Sequence, residues 1–181
     1  MGKIMVWLPI LLSAILAVSC GESPVKNPLP QGTPDGYKEI TQSGMTLRWK
    51  VDNQNLKVVV RAPTAGWVAA GFSPTDKMQD ANIIIGYVKD GQAYLENDFG
   101  TGPVKHEAQT ALGGVDNLMD KSGMEADGYT EIWFTMPLNS NDSKHPALEP
   151  GKTYKVILAY GAADDFKMYH TARTAVNIKI E

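Results

Sequence analysis

Alternation of apolar and polar residues with a period of two is the dominant pattern of this chain. Residues 46–52 alternate without a break, and the pattern returns in four later segments, 56–61, 132–136, 154–160 and 176–180. Such alternation predicts strands that bury one face. Segments 67–72 and 83–88 are apolar on both faces, which is typical of central strands or of strands that line a pocket.

Turn signals separate these segments and complete the predicted fold. Asp90-Gly91 is a strong hairpin signal and places a short strand at 93–96. The eight strands, with no convincing long helix, predict an all-β, antiparallel, immunoglobulin-like β-sandwich. Two polar stretches, 73–80 and 161–173, do not follow the strand pattern. Because binding residues are often found on such loops, we expect function there.

The N-terminus has the layout of an export signal. Lys3 is followed by an apolar run over 4–18, and the segment ends in Ala17-Val18-Ser19-Cys20, which resembles a bacterial lipobox. We predict a lipoprotein signal peptide over 1–19 and acylation of Cys20. An ordinary signal peptide with an incidental cysteine is the alternative.

The remainder divides into a tether and one domain. Residues 20–35 hold the lipidated cysteine and four prolines, a composition that stays extended and flexible. Residues 36–181 are one domain's length and are predicted to form the β-sandwich. The protein is therefore expected outside the cytoplasm, in the periplasm or at the cell surface, and attached to the membrane only through its lipid.

Composition excludes several kinds of site. Without Lys3 the chain has 16 basic and 20 acidic residues, which argues against nucleic acid as a partner. Cys20 is the only cysteine, so its acylation leaves no thiol for a disulfide, a thiolate metal site or a cysteine nucleophile. The chain has no C-x-x-C-H motif, which excludes covalent haem attachment.

Histidine and methionine supply the candidate metal ligands. His106 lies in a polar, glycine-rich stretch, and His145 precedes a proline among polar residues, where a solvated turn is expected. His170 directly precedes the last strand and is either a packed residue or a ligand. Met78 lies in a polar loop, where it either folds back on the core or offers a thioether. A thioether suits haem iron or copper.

Three segments resemble the signature of DOMON domains, the β-sandwich modules named after the N-terminal region of dopamine β-monooxygenase. They are Gly66-Trp67-Val68-Ala69-Ala70-Gly71-Phe72-Ser73, the run from Met78 to Tyr87, and Tyr169-His170-Thr171-Ala172-Arg173. The resemblance covers about 37–180 and extends to the cytochrome domain of cellobiose dehydrogenase. Asn82 stands where the family commonly has aspartate.

The resemblance implies a non-covalent b-type haem with Met78 and His170 as its axial ligands. Arg173 or Tyr169 would contact a propionate. Four residues would line the haem slot, although ordinary sandwich core is the alternative for each: Trp67, Phe72, Ile84 and Tyr87.

The predicted function is a lipid-anchored b-type cytochrome domain that transfers electrons to a redox partner protein. Because some members of the family are thought to bind sugars, a cofactor-free carbohydrate-binding module is the alternative. A hydrolase would need a catalytic cluster, and Asp164-Asp165 near His170 is the only candidate in the sequence. We therefore expect a binding and electron-transfer module and not an enzyme.

Overall fold

The computed structural model describes residues 1–2 and 36–181. The export signal, Cys20 and the tether lie outside these residues and stay predictions. Within the two described ranges, no helix has the length and apolar character needed to cross a membrane.

The described residues form eleven strands and one short 3₁₀ turn, which confirms the all-β prediction. The strands are β1 (Lys38–Gln42), β2 (Met45–Asp52), β3 (Asn55–Ala62), β4 (Val68–Phe72), β5 (Asn82–Lys89), β6 (Gln92–Gly102), β7 (Lys105–Ala108), β8 (Met119–Ala126), β9 (Tyr129–Pro137), β10 (Thr153–Tyr160) and β11 (Ala172–Lys179). The 3₁₀ turn spans Gln109–Leu112.

Two antiparallel sheets make up the sandwich. The first has the order β1-β2-β3-β9-β8, and the second has the order β11-β10-β4-β5-β6-β7. Their inner faces share one apolar core, to which both sheets contribute large side chains such as Leu47, Phe72, Ile84, Phe134 and Leu158.

Three strands were absent from the sequence prediction: β1, β7 and β8. All three lie at sheet edges and are rich in polar or charged residues, as in Lys-Glu-Ile-Thr-Gln of β1. Edge strands commonly carry such residues because charge discourages pairing with other chains. These edge strands therefore lack the alternating apolar residues from which a strand is predicted.

Strands β4 and β5 lie in the middle of the second sheet and are buried on both faces. Val68, Ala70 and Ile84 face the inter-sheet core, whereas Ala69 and Ile85 belong to a second apolar cluster on the outer face. The sequence expectation of central, pocket-lining strands is thus met by β4 and β5. The outer cluster is the floor of the site described next.

Candidate functional site

A cavity of about 700 Å³ lies on the outer face of the six-stranded sheet. Its volume is within the range of about 300–1,000 Å³ that is usual for small-molecule and cofactor sites. The floor is apolar and comes from β10, β4 and β5 together with the residue before β4: Trp67, Ala69, Gly71, Ile83, Ile85, Ile157 and Ala159. A side chain at Gly71 would not fit the floor, because its Cβ would come 2.7 Å from Ile157 Cγ1.

One side of the cavity is the loop between β4 and β5, which carries Met78. The Met78 amide donates to the Pro103 carbonyl (3.3 Å), and the Asp80 amide donates to the Gly100 carbonyl (2.8 Å). The Gly100 amide in turn donates to the Ala81 carbonyl (2.9 Å). These bonds fix the loop against the end of β6, and the half-buried Met78 lines the cavity.

The other side is the connection between β10 and β11, which carries His170. The Gly161 amide donates to the Trp67 carbonyl (2.9 Å), and the Thr171 amide donates to the Tyr160 carbonyl (2.6 Å). A Cβ on Gly66 would overlap the backbone of Ala163, so glycine is needed for this close approach. Both ends of the His170 loop are therefore tied to the sheet.

Strand register places the two loops at opposite ends of the floor. The His170 loop starts after Tyr160, which pairs with Val68 at the start of β4, whereas the Met78 loop starts after Phe72 at the end of β4. A strand rises about 3.4 Å per residue, so the two ends of β4 are separated by roughly 14 Å. A thioether and an imidazole thus reach one cavity from two sides.

The mouth of the cavity is cationic. Lys77, Lys167 and Arg173 line it and are exposed. Within residues 36–181, none of the three side chains forms an ion pair or a side-chain hydrogen bond. An apolar floor with unpaired cations at the rim suits an apolar molecule that carries carboxylates.

Residues 41–161 match the family model of the DOMON domain. The chain belongs to the DOMON family. MOXD1 homolog 2 of Drosophila melanogaster is 27% identical over 118 residues, which are 65% of this chain and 15% of that protein. DBH-like monooxygenase protein 1 of Homo sapiens is 31% identical over 120 residues, 65% of this chain and 18% of that protein. The mouse protein of the same name is 28% identical over 154 residues, 85% of this chain and 24% of its own length.

This DOMON domain spans less than a quarter of each of these three relatives. Two solved structures have a similar fold: the cytochrome b domain of pyranose dehydrogenase from Coprinopsis cinerea (TM-score 0.56) and the cytochrome domain of cellobiose dehydrogenase from Myriococcum thermophilum (TM-score 0.57). Each is 10% identical to this chain, and each match covers 80% of this chain and 82% of the other. At this identity the likeness shows a common fold.

The DOMON fold brings some of the predicted site residues together and separates others. Five line the cavity: Met78, His170, Arg173, Trp67 and Tyr169. Tyr169 lies at the rim and is 91% exposed. Tyr87 packs against Phe166 beneath the His170 loop, with ring centroids 4.9 Å apart, and lines a smaller neighbouring cleft.

Phe72 and Ile84 do not line the cavity, contrary to the sequence prediction. Both are buried in the core between the sheets. Successive residues of a strand point to opposite faces of the sheet. Gly71 and Ile83 face the cavity, so the side chains of the next residues, Phe72 and Ile84, point to the other face.

The prediction that His145 is a solvated turn residue is wrong, because this side chain is 2% exposed. Its Nε2–H donates to the Pro137 carbonyl (2.7 Å), and its Nδ1 accepts from the Asn82 side-chain amide (3.1 Å). Asn82 Oδ1 accepts from Gln109 Nε2 at 2.6 Å. The position at which the family commonly has aspartate is here the centre of a buried, neutral hydrogen-bond network.

The free energy of unfolding should fall as the pH drops below about 6.5. Burial lowers the pKa of His145 below its ordinary value, so the unfolded chain takes up this proton first. The uptake of one proton on unfolding lowers the free energy of unfolding by at most about 1.4 kcal/mol per pH unit. Urea unfolding between pH 7 and 5.5 measures the slope.

Asn82→Asp is the matched variant for this slope. A carboxylate at position 82 would accept a hydrogen bond from Nδ1–H and stabilise the imidazolium of His145, which raises the pKa of this histidine. We therefore expect a flatter curve for Asn82→Asp than for the wild type over the same pH range. Equal slopes in the two proteins would show that His145 is not the group responsible.

His106 also lines the cavity, although the sequence placed it only in a polar region. It lies on β7, and its Nδ1 is 2.5 Å from Asp98 Oδ2. The sequence did contain a signal for this hairpin. Gly102-Pro103 is a turn pair, and it lies at the end of β6, just before β7.

A smaller cleft of about 320 Å³ adjoins the cavity and holds Asp164 and Asp165, whereas His170 lines the larger cavity. Burial, followed by repulsion from Asp98, raises the pKa of Glu96 in this cleft. The residues considered for a hydrolase thus line different cavities, with the two aspartates in the smaller one and His170 in the larger one. Within the described ranges, no three His, Cys, Asp or Glu side chains group in a way that could hold a metal ion.

Proposed function

We propose that this DOMON domain binds one b-type haem non-covalently and transfers single electrons to a redox partner protein. Met78 and His170 are the proposed axial ligands. The observation that carries the proposal is the cavity itself. A thioether and an imidazole approach one apolar floor from opposite sides, beneath a cationic mouth.

The residues of the cavity suit this cofactor in three respects. Thioether and imidazole form a known axial pair for haem iron, and Met/His ligation raises the reduction potential. The apolar floor excludes water from a macrocycle, while Lys77, Lys167 and Arg173 are placed to pair with propionates. When bound, haem supplies a centre that takes up and releases one electron.

Two protein ligands on one haem iron would favour electron transfer over catalysis. Met78 and His170 together would leave no position on the iron open for a substrate. The similar proteins from fly, human and mouse include two named as monooxygenases, but this chain spans only 15–24% of their lengths. We propose a module without catalytic residues of its own.

Two methionine variants test the proposed ligand set. Met78→Ala should remove the sulfur-to-iron charge-transfer band of the hemin-loaded protein, because the thioether is gone. Met168→Ala is the matched control, since this methionine lines the same cavity on the His170 side. The reverse result would identify Met168 as the ligand. Failure of the wild type to bind hemin, with retention on a polysaccharide matrix, would favour the cofactor-free carbohydrate-binding module.

We further propose that the protein is held outside the cytoplasm by a lipid on Cys20. DOMON domains occur in secreted and extracellular proteins, and the sequence offers a lipobox-like end to its export signal. Cys20→Ser should release the protein from the membrane fraction or leave it unprocessed. Fractionation and the mass of the mature N-terminus measure this. Unchanged partition together with an unchanged mass would contradict acylation.

A further inference from the structure

His106 lines the cavity on the same side as Met78. It lies opposite Gly100 in the pairing of β6 with β7. Gly100 also touches the Met78 loop so closely that a Cβ there would overlap the Met78 carbonyl oxygen. One glycine is therefore the neighbour of both residues. The cavity thus has one imidazole on each side, His106 and His170.

Asp98 orients the His106 ring. This carboxylate is 3% exposed, and its Oδ2 lies 2.5 Å from His106 Nδ1. An ionised carboxylate only accepts hydrogen bonds, so the ring tautomer that satisfies this contact carries its proton on Nδ1 and keeps a lone pair on Nε2. A carboxylate behind one ring nitrogen, with the other nitrogen left for the metal, is the usual arrangement of a metal-ligating histidine.

His145 shows what a purely structural histidine looks like in this domain. Both of its ring nitrogens are bonded inside the protein, to Asn82 and to Pro137. His106 Nε2, by contrast, makes no hydrogen bond with residues 36–181. The His106 side chain is also 27% exposed, and it lines both the cavity and the smaller cleft beside it.

We propose that His106 is a second imidazole donor of this site, available from the Met78 side and oriented by Asp98. The inference rests on the proposed haem-binding function. It gives the iron two possible ligands on this side, the Met78 thioether and the His106 imidazole. His170 supplies the ligand on the other side in either case.

Hemin titration of four full-length proteins tests the inference: wild type, Met78→Ala, His106→Ala and the double variant. In Met78→Ala we expect haem to remain six-coordinate and low-spin, with a more negative reduction potential because imidazole replaces the thioether. The double variant should become five-coordinate and bind hemin at least about tenfold more weakly than Met78→Ala. Lys105→Ala, an exposed neighbour on β7, is the control and should change nothing.

Asp98 is a positioning residue, and its role is tested by the ring tautomer. In the wild type, nitrogen NMR of the histidine rings should find His106 protonated at Nδ1. Asp98→Asn in the Met78→Ala background should weaken hemin binding by about tenfold. Because the tautomer is measured without hemin, it stays informative if a variant folds poorly.

The outcomes separate the two hypotheses. If the wild type binds hemin but Met78→Ala and the double variant are indistinguishable, His106 is not a donor and the haem proposal stands. A wild-type His106 protonated at Nε2 would also overturn the inference. If the wild type does not bind hemin at all, the proposed function fails, and the inference fails with it.

Discussion

His170→Ala should lower the affinity for hemin by at least about a hundredfold. Loss of a partner behind a ligand already costs about 10–100-fold in metal affinity, and loss of the ligand itself should cost no less. Met78 and His106 both lie on the other side of the cavity, so neither can take the place of His170. Any remaining haem should be five-coordinate. Hemin titration followed by visible spectroscopy measures both effects.

Thr171→Ala is the matched control for this variant. Thr171 is the other sequence neighbour of His170, is exposed and lies outside the lining of the cavity. Its loss should leave the six-coordinate spectrum intact, because its bond to the Tyr160 carbonyl comes from the backbone amide. An unchanged spectrum in His170→Ala would mean that the proposed axial ligand is wrong.

Gly100→Ala should destabilise the protein and disrupt the Met78 side of the site together. The added Cβ would overlap the Met78 carbonyl oxygen, and backbone cannot move aside as a flexible side chain can. The Met78 loop would have to leave β6, breaking the hydrogen bonds between Asp80, Gly100 and Ala81. We expect a loss of about 3 kcal/mol in the free energy of unfolding, measured by urea denaturation.

Gly102→Ala is the control for that experiment. Gly102 lies two residues further along β6, and a Cβ there would meet no atom within 4 Å. Its effect on the free energy of unfolding should stay within about 0.5 kcal/mol. If both glycine variants are equally stable, the Met78 loop is not held against β6 in the way the structure indicates.

The sequence predicts the central strands of the fold, whereas it does not predict the edge strands β1, β7 and β8. Strands that bury one face, such as β10 and β11, carry an apolar stripe because alternate side chains pack into the core. β8 carries no such stripe: all of its residues are exposed or half-buried, and it has a register irregularity between Met119 and Ser122. β8 is a strand because it pairs with β9, and a local sequence pattern does not predict that pairing.

The site shows the same division between local and tertiary information. The family resemblance singled out Met78 and His170, and the fold places both at one cavity. Phe72 was assigned to the wrong face, because an all-apolar strand gives no sign of which set of alternate residues faces the core. The prediction for His145 was wrong because its sequence neighbours are polar, whereas its hydrogen-bond partner Asn82 is distant in the sequence.

The central claim is that one haem occupies the cavity between Met78 and His170. Its most direct test is the visible spectrum of the purified full-length protein during titration with hemin, recorded first oxidised and then reduced. We expect saturation at one hemin per chain and sharp low-spin bands after reduction, which indicate six-coordinate iron. Absence of saturable binding, or a high-spin spectrum in both oxidation states, would contradict haem binding between Met78 and His170.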